Sequence, residues 1–253
     1  PFDIPDVPDF IPRRLKPYLF IFFVLIIQFS GGVYLAAASD MVGTKAVMQE
    51  DILMAGYASL IGMAINFAMM FRIKFRFSTR NQLLVSGMVL IAANVICAYT
   101  ASVPLLVGTC FVAGWFRMQA TFACNSTIQL WLTPVRDMAI FFCYVYIIVD
   151  SVIQLSGIAT IYTAFFSQWE YMHWIMTGML ALMMLMVMIL VKPVRGPMFI
   201  PLLGIDWIGA VLWAIFMLCF AFVCVYGSFY DWWDAAEVCD ATLIDIVCIG
   251  INL

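Results

Sequence analysis

The chain has 253 residues, of which 66% are apolar and 11% charged, and its formal net charge is −3. Soluble domains carry about 25% charged residues, so this composition excludes an ordinary water-exposed surface and indicates a fold whose outer shell meets lipid. The small net charge and the scattered basic residues also argue against a nucleic-acid partner.

Apolar runs of about 20 residues, the length that crosses the hydrocarbon core of a bilayer, recur along the chain. The sequence therefore predicts an all-α fold, a polytopic transmembrane helix bundle. An eighth run begins near Thr242, and the seven complete runs are 18–38, 52–71, 83–100, 105–132, 138–166, 174–191 and 207–230. Successive spans should be antiparallel neighbours, because their connections are short and rich in turn residues, as at 39–51, 101–104 and 133–137.

The order of these runs divides the chain into four parts. We expect a cytoplasmic N-terminal segment (1–17), a six-helix bundle (18–191), a cytoplasmic linker (192–206) and a seventh helix with a truncated eighth (207–253). The chain starts at Pro1 and ends inside an apolar run, which favours a fragment of a longer protein. The eight cysteines form no CxxC pair or Cys/His cluster, so no metal or other cofactor is expected.

Lysine and arginine alternate from loop to loop, and this pattern predicts orientation because positively charged loops stay on the cytoplasmic side. With a cytoplasmic N-terminus, the outer side holds Lys45 alone. The inner side then holds Arg13, Arg14, Lys16, Arg72, Lys74, Arg76, Arg80, Arg136, Lys192 and Arg195. We therefore predict a multi-pass protein of the inner (cytoplasmic) membrane.

Two titratable side chains fall near the middle of predicted spans, Arg117 in the fourth and Asp150 in the fifth. Each costs roughly 2.5–3.5 kcal/mol at a helix centre and needs a partner or water. The two spans are antiparallel neighbours, so an ion pair between Arg117 and Asp150 is one arrangement that the sequence leaves open. Both residues are candidates for a functional role.

Polar side chains surround these two groups. One face of the fourth span is polar for three turns, since every fourth residue is polar: Arg117, Thr121, Asn125 and Gln129. The fifth span repeats the pattern with Tyr146, Asp150 and Gln154. Such faces are typical of a water-filled substrate path. Single amides in earlier spans favour interhelical hydrogen bonds, and two of them are also candidates for the path lining: Gln28 and Asn66.

The segment LLGIDWIGAVLW (202–213) and the exit YGSFYDWWDA (226–235) add a helix beyond a six-helix half. In this layout the chain resembles the N-terminal part of the major facilitator superfamily, and especially its fourteen-helix drug:proton antiporter branch. The first inserted helix of that branch opens with Asp and Gly and closes with Gly and Trp. The matching positions here are Asp206, Trp207, Gly209, Gly227 and Trp232.

Other motifs of that branch match in part. WFRMQATFAC (115–124) is similar to the fourth-helix motif, which implies that Arg117 takes part in substrate binding and proton coupling. The basic segment 70–82 lacks the family's glycines and aspartate, but it keeps the cations of a cytoplasmic gating loop: Arg72, Lys74, Arg76 and Arg80. In the fifth-helix motif, small residues remain without the proline, at Ala159, Thr160, Thr163 and Ala164. The first-helix acid is absent, and Asp150 is our hypothesis for the proton-titrating group in its place.

The resemblance implies a secondary active transporter, not an enzyme, that exports drug-like or amphipathic small molecules in exchange for protons by alternating access. Its expected partners are the lipid bilayer, the substrate and protons and, in a cell with two membranes, a periplasmic adaptor and an outer-membrane channel. A proton-coupled transporter of a specific metabolite is the first alternative. A seven-helix receptor is another, although a retinal pigment would need a lysine that 207–230 lacks. An enzyme is not favoured, because the sequence shows no nucleophile–base pair.

Overall fold

The computed structural model describes residues 7–31, 38–132, 138–166, 168–194 and 201–252. Within these ranges the chain forms helices and connections without a β-strand, which confirms the all-α prediction. The helices are α1 (Lys16–Phe29), α2 (Ala38–Lys45), α3 (Gln49–Arg76), α4 (Thr79–Tyr99), α5 (Val103–Leu132), α6 (Ala139–Tyr144), α7 (Asp150–Phe166), α8 (Glu170–Leu190), α9 (Trp207–Tyr226) and α10 (Ala236–Asn252). A π-helical turn, Val145–Val149, joins α6 to α7.

Six helical segments in the described part are long and apolar enough to cross a membrane: α3, α4, α5, the continuous α6–α7 segment, α8 and α9. Large apolar side chains cover the outside of the bundle, and Phe165, for example, is 81% exposed. A water-facing surface of this kind would not be stable, whereas lipid is its natural solvent. The protein is therefore a multi-pass membrane protein.

Several helix boundaries differ from the predicted spans. α3 runs from Gln49 to Arg76, beyond the predicted 52–71, with acidic residues in its first turn and basic residues in its last, where they favour the helix dipole. The predicted connection 39–51 contains α2, and α10 begins at Ala236 instead of near Thr242. The first predicted span is helical over α1, and its residues 32–37 lie outside the described ranges.

The basic side chains group at one end of the bundle. At this end Asp9 lies between the ammonium groups of Lys16 and Lys192, at 3.8 and 4.0 Å. We call it the basic end, and its described members are Arg13, Arg14, Lys16, Arg72, Lys74, Arg76, Arg80 and Lys192. Arg136 and Arg195 lie outside the described ranges. The grouping agrees with the predicted alternation of loops, while the side of the membrane that the basic end occupies stays a prediction.

The backbones of α3 and α5 touch at two glycines. A Cβ atom on Gly62 would meet the carbonyl oxygen of Phe111, and one on Gly114 would meet the carbonyl oxygen of Ser59. Small residues permit this approach, which is how membrane helices gain packing energy when hydrophobicity cannot drive their association. The contact places Ser59 directly beside the middle of α5.

Polar and small residues fix both ends of α9. The Asp206 carboxylate accepts a hydrogen bond of 2.9 Å from the backbone N–H of Gly209 and so caps the first turn. At the other end, the backbone N–H of Trp232 donates to the Gly227 carbonyl at 2.7 Å, and a Cβ on Gly227 would lie 2.7 Å from the Trp232 ring. Of the predicted pattern, Asp206 and Gly209 therefore lie at the start of α9, and Gly227 and Trp232 lie at its end.

Lys45 lies at the end of the bundle opposite the basic end, where it contacts the C-terminal end of α4. Its ammonium donates to the carbonyls of Cys97 and Thr100 at 2.6 and 2.8 Å and lies 5.2 Å from the centre of the Trp169 ring. These carbonyls belong to the C-terminal end of α4, where the backbone has no helical partner and a cation is favoured. Burial lowers the pKa of Lys45.

We expect Lys45→Met to destabilise the protein by about 1.5–3 kcal/mol, because buried carbonyls would lose a charged donor. The melting temperature of the purified full-length protein in detergent measures this loss. Lys192→Met is the control, since Lys192 is half exposed and its pair with Asp9 is long, and it should change stability by less than about 1 kcal/mol. Equal melting of the two variants would contradict the capping role.

Candidate functional site

Arg117 is buried in the middle of α5, with 4% of its side chain exposed. The guanidinium donates from Nη2 to Ser59 Oγ at 3.2 Å and contacts Met63 Sδ at 2.9 Å, both on α3. Its Nη1 atom lies 2.5 Å from the place that a Cβ on Gly31 would occupy. The guanidinium therefore sits between α3 and the end of α1, where only glycine leaves room for it.

A small cavity of about 40 Å³ lies beside the guanidinium, and we call it the Arg117 cavity. Arg117 and Asn94 line it, and the Nε atom of Arg117 and the Nδ2 atom of Asn94 are buried without a hydrogen-bond partner among the described residues. The other lining residues are Ser30, Gly31, Gly56, Ser59, Leu90, Ala93, Cys97, Cys110 and Ala113. Buried donors without acceptors are rare and cost about 1–3 kcal/mol each. The Arg117 cavity therefore has unmet capacity for an acceptor and has room for about one water-sized group.

No carboxylate pairs with Arg117 among the residues that the structure describes. The ion pair with Asp150 that the sequence left open is not formed, because the Asp150 side chain is exposed at the start of α7. Residue counting places the two groups at similar depth, but helix rotation decides the direction of each side chain. The π-helical turn before Asp150 changes that rotation, and such turns are frequent at functional sites.

The polar face predicted on the fourth span packs against neighbouring helices. Thr121 Oγ1 accepts a 2.8 Å hydrogen bond from Gln28 Nε2 on α1, and Asn125 Oδ1 accepts one of 3.5 Å from the Tyr144 hydroxyl on α6. Gln129 Nε2 donates to Met138 Sδ at 3.3 Å. These side chains lie at helix contacts in this conformation and not on an open path.

The polar face predicted on the fifth span lies on the outside of the described bundle. Tyr146, Asp150 and Gln154 are all exposed, and the structure does not bring them to the Arg117 cavity. An ionisable group on a membrane helix almost always faces protein or water, since contact with hydrocarbon is costly. This face of α6–α7 is therefore a surface that something other than lipid must cover.

A chain of buried amides links three helices. Asn66 Nδ2 on α3 donates to Gln119 Oε1 on α5 at 3.2 Å, and Gln119 Nε2 donates to Gln82 Oε1 on α4 at 2.8 Å. Gln82 Nε2 then donates to the Phe77 carbonyl at 2.7 Å. Sequence reasoning missed the roles of Gln82 and Gln119, although amides in three successive apolar spans were a usable signal.

The predicted gating loop contacts three elements at the basic end. Lys74 Nζ donates to the Ala123 carbonyl of α5 at 3.0 Å, and Arg80 Nη2 donates to the Met188 carbonyl of α8 at 3.2 Å. The Arg72 guanidinium lies where a Cβ on Gly204 would be. Arg76 is half-buried at the end of α3. The loop cations therefore tie α3 and α4 to the rest of the basic end.

Asp245 is a buried acidic residue that sequence reasoning missed. It is the tenth residue of α10, is 7% exposed, and its Oδ1 atom is buried without a hydrogen-bond partner. With a span expected to begin near Thr242, this carboxyl would lie at the membrane interface. The observed start at Ala236 places it in the middle of α10, a helix that packs against α9.

The chain was compared with family models and with curated proteins. No family model matches it, and no curated protein matches it at a significant level. The resemblance to the major facilitator superfamily therefore stays a prediction, and the chemistry of the Arg117 cavity and of the exposed α6–α7 face carries the functional argument.

Proposed function

We propose that the protein is a secondary active transporter that moves small solutes across the membrane by alternating access, coupled to protons. The observation that carries this proposal is the Arg117 cavity, where a buried cation in the middle of a membrane helix lacks a carboxylate among the described residues. A purely structural bundle gains little from such a charge, since it costs roughly 2.5–3.5 kcal/mol at that depth. An anionic group of a solute, or a titrating carboxylate, that reaches the guanidinium would compensate this charge.

The exposed face with Tyr146, Asp150 and Gln154 supports the same proposal. Transporters of this class place their substrate site near the membrane midplane, between two helical units that rock against each other. A second unit that covers this face would enclose a polar path and give Asp150 the partner or water that it needs. Asp150 is then the group that takes up and releases the proton.

The contacts of the gating loop fit the motion that alternating access requires. Lys74 and Arg80 donate hydrogen bonds to backbone carbonyls of α5 and α8. Such contacts are individually modest, at about 1.5–3 kcal/mol for a charged donor, so they can form in one conformation and break in the other. In this proposal the cytoplasmic gate is the gating loop alone, with Arg72, Lys74, Arg76 and Arg80.

The proposed transport is the export of drug-like or amphipathic molecules in exchange for protons at the inner membrane, and this choice rests on the family resemblance. A periplasmic adaptor and an outer-membrane channel are the proposed partners in a cell with two membranes. One observation favours the second candidate, a metabolite transporter: no carboxylate among the described residues pairs with the Arg117 guanidinium, and such a group is a natural site for an anionic solute.

We expect Asp150→Asn to abolish pH-driven transport by the full-length protein in proteoliposomes, because an amide cannot carry the coupled proton. Substrate exchange without a pH gradient should persist. The control is Glu237→Gln, which removes an exposed carboxylate at the start of α10 and should leave pH-driven transport unchanged. Undiminished pH-driven transport by Asp150→Asn would refute the assignment.

The substrate class is tested with the same proteoliposomes and a panel of cationic amphiphilic dyes and small organic anions. Movement of several dyes coupled to the proton gradient supports drug export. Selective movement of one organic anion supports the metabolite transporter instead. Failure to move either class under a pH gradient would count against the proposed function as a whole.

A further inference from the structure

A long groove separates α3 from α9 on the lipid-facing side of the bundle, and we call it the α3–α9 groove. Its apolar part has a volume of about 480 Å³ and is lined by Tyr57, Leu60, Ala64, Met217, Phe220 and Ala221, among others. A second part of about 510 Å³ lies nearer the basic end and includes Met69, Arg72 and Trp213. The two parts share Ala64 and Met217, so the groove is continuous.

The two helices are joined near both ends of the groove. Near the basic end, Ile65, Met69 and Ile73 of α3 pack with Ile205, two residues before α9, and Ala210 of α9 packs against the same apolar cluster. At the opposite end, the Tyr226 hydroxyl donates to the Asp51 carboxylate at 2.5 Å. Between these points α9 buries little, since its buried residues are Gly209 and Tyr226. The groove is thus a slot of defined length between fixed ends, apolar away from the basic end and partly polar near it.

A cation, Arg72, lies at the mouth of the groove at the basic end. Arg72 is half-buried, its guanidinium lies against the backbone at Gly204, and it makes no hydrogen bond or ion pair within the described ranges. Asp206 lines the same mouth, but its carboxylate is engaged as the N-cap of α9. Trp207, at the first position of α9, marks this level as the membrane interface, where tryptophan is enriched.

We propose that the α3–α9 groove binds an anionic phospholipid, with an acyl chain in the apolar part and the phosphate on Arg72. A phospholipid has a long apolar chain and a negative group at the interface, and these two features match the slot and the cation at its mouth. Arginine suits phosphate because its guanidinium can donate two parallel hydrogen bonds. Basic pockets between membrane helices are known to hold anionic headgroups. The proposal is independent of the transport function.

Native mass spectrometry of the full-length protein, in detergent with equal amounts of phosphatidylglycerol and phosphatidylethanolamine, tests this site. We expect the wild-type protein to retain one phosphatidylglycerol in preference. Arg72→Gln should reduce that retention about tenfold, the effect of one charge-assisted hydrogen bond. Arg14→Gln removes the same charge from an exposed position at the basic end and should leave retention unchanged.

A second variant, Ala221→Phe, fills the apolar part of the groove without changing a charge. It should reduce retention of both lipids while the melting temperature stays close to that of the wild-type protein. Equal retention of the two lipids by the wild-type protein, or an equal loss in Arg72→Gln and Arg14→Gln, would overturn the proposal. A lipid-free dimer that Ala221→Phe dissociates would place a second copy in the groove and would also overturn it.

Discussion

Gly114→Leu is expected to prevent stable assembly of the bundle. The new side chain would have to occupy the space of the backbone carbonyl of Ser59. Gly62 on the facing helix is itself in close contact with the backbone of α5, so this interface has no free space for the added atoms. Overpacking typically costs 1–3 kcal/mol, and we expect a loss at or above about 3 kcal/mol here because backbone, unlike a side chain, cannot change rotamer. The yield of monodisperse full-length protein and its melting temperature measure the effect.

Gly108→Leu is the matched control for this prediction. Gly108 lies on the same helix, and a Cβ at that position meets nothing within 4 Å. The added side chain should point into open space and change stability little, by about 0.5 kcal/mol or less. Similar melting of the two variants would show that the α3–α5 contact is less close than the structure describes.

Arg117→Met is expected to reduce transport strongly while the protein still folds. The substitution keeps much of the side-chain volume but removes the charge and the donors that face the Arg117 cavity, which should weaken solute or proton coupling by about 10- to 100-fold. Replacing a buried charge with an apolar group is often neutral or stabilising, so the melting temperature should not fall. Transport by the full-length protein in proteoliposomes and thermal melting separate the two effects.

Arg117→Lys separates the effect of the positive charge from the effect of the guanidinium donors. Lysine keeps a positive charge but cannot reproduce the planar set of guanidinium donors, so we expect partial transport with a changed pH dependence. Arg14→Gln serves again as the control, because it removes a basic charge outside the cavity. Full transport by Arg117→Met would show that the buried charge is structural and would remove the main support for the proposed function.

The membrane fold could be predicted because the solvent dictates it. Backbone groups in hydrocarbon must be paired within the chain, so apolar runs of sufficient length become helices regardless of tertiary detail. The alternation of basic loops likewise predicted which helix ends lie together, and Arg80 and Met188 do meet at the basic end. Arg117 was identified from its cost in the membrane, and it is buried as expected.

The arrangement of the candidate site could not be predicted to the same degree, because it depends on helix rotation and register. Asp150 follows a π-helical turn that residue counting does not reveal, and its side chain points outward. Asp245 was missed because hydropathy placed the start of α10 about six residues too late. The contact between Gln82 and Gln119 joins helices whose relative rotation only the packed structure supplies.

The hydrogen bonds of the amide chain all run in one direction, and this direction decides which atom of Asn66 stays without a partner. The Phe77 carbonyl can only accept, so Gln82 must turn its NH₂ group toward it and its oxygen toward Gln119, and Gln119 must do the same toward Asn66. The oxygen of Asn66 is left as a bare acceptor. Gln82 Nε2 also donates to the Lys74 carbonyl at 3.3 Å. A shift at the end of α3 that removed both carbonyls from Gln82 would therefore release three amides to flip in sequence, and would turn that acceptor into a donor two helices away.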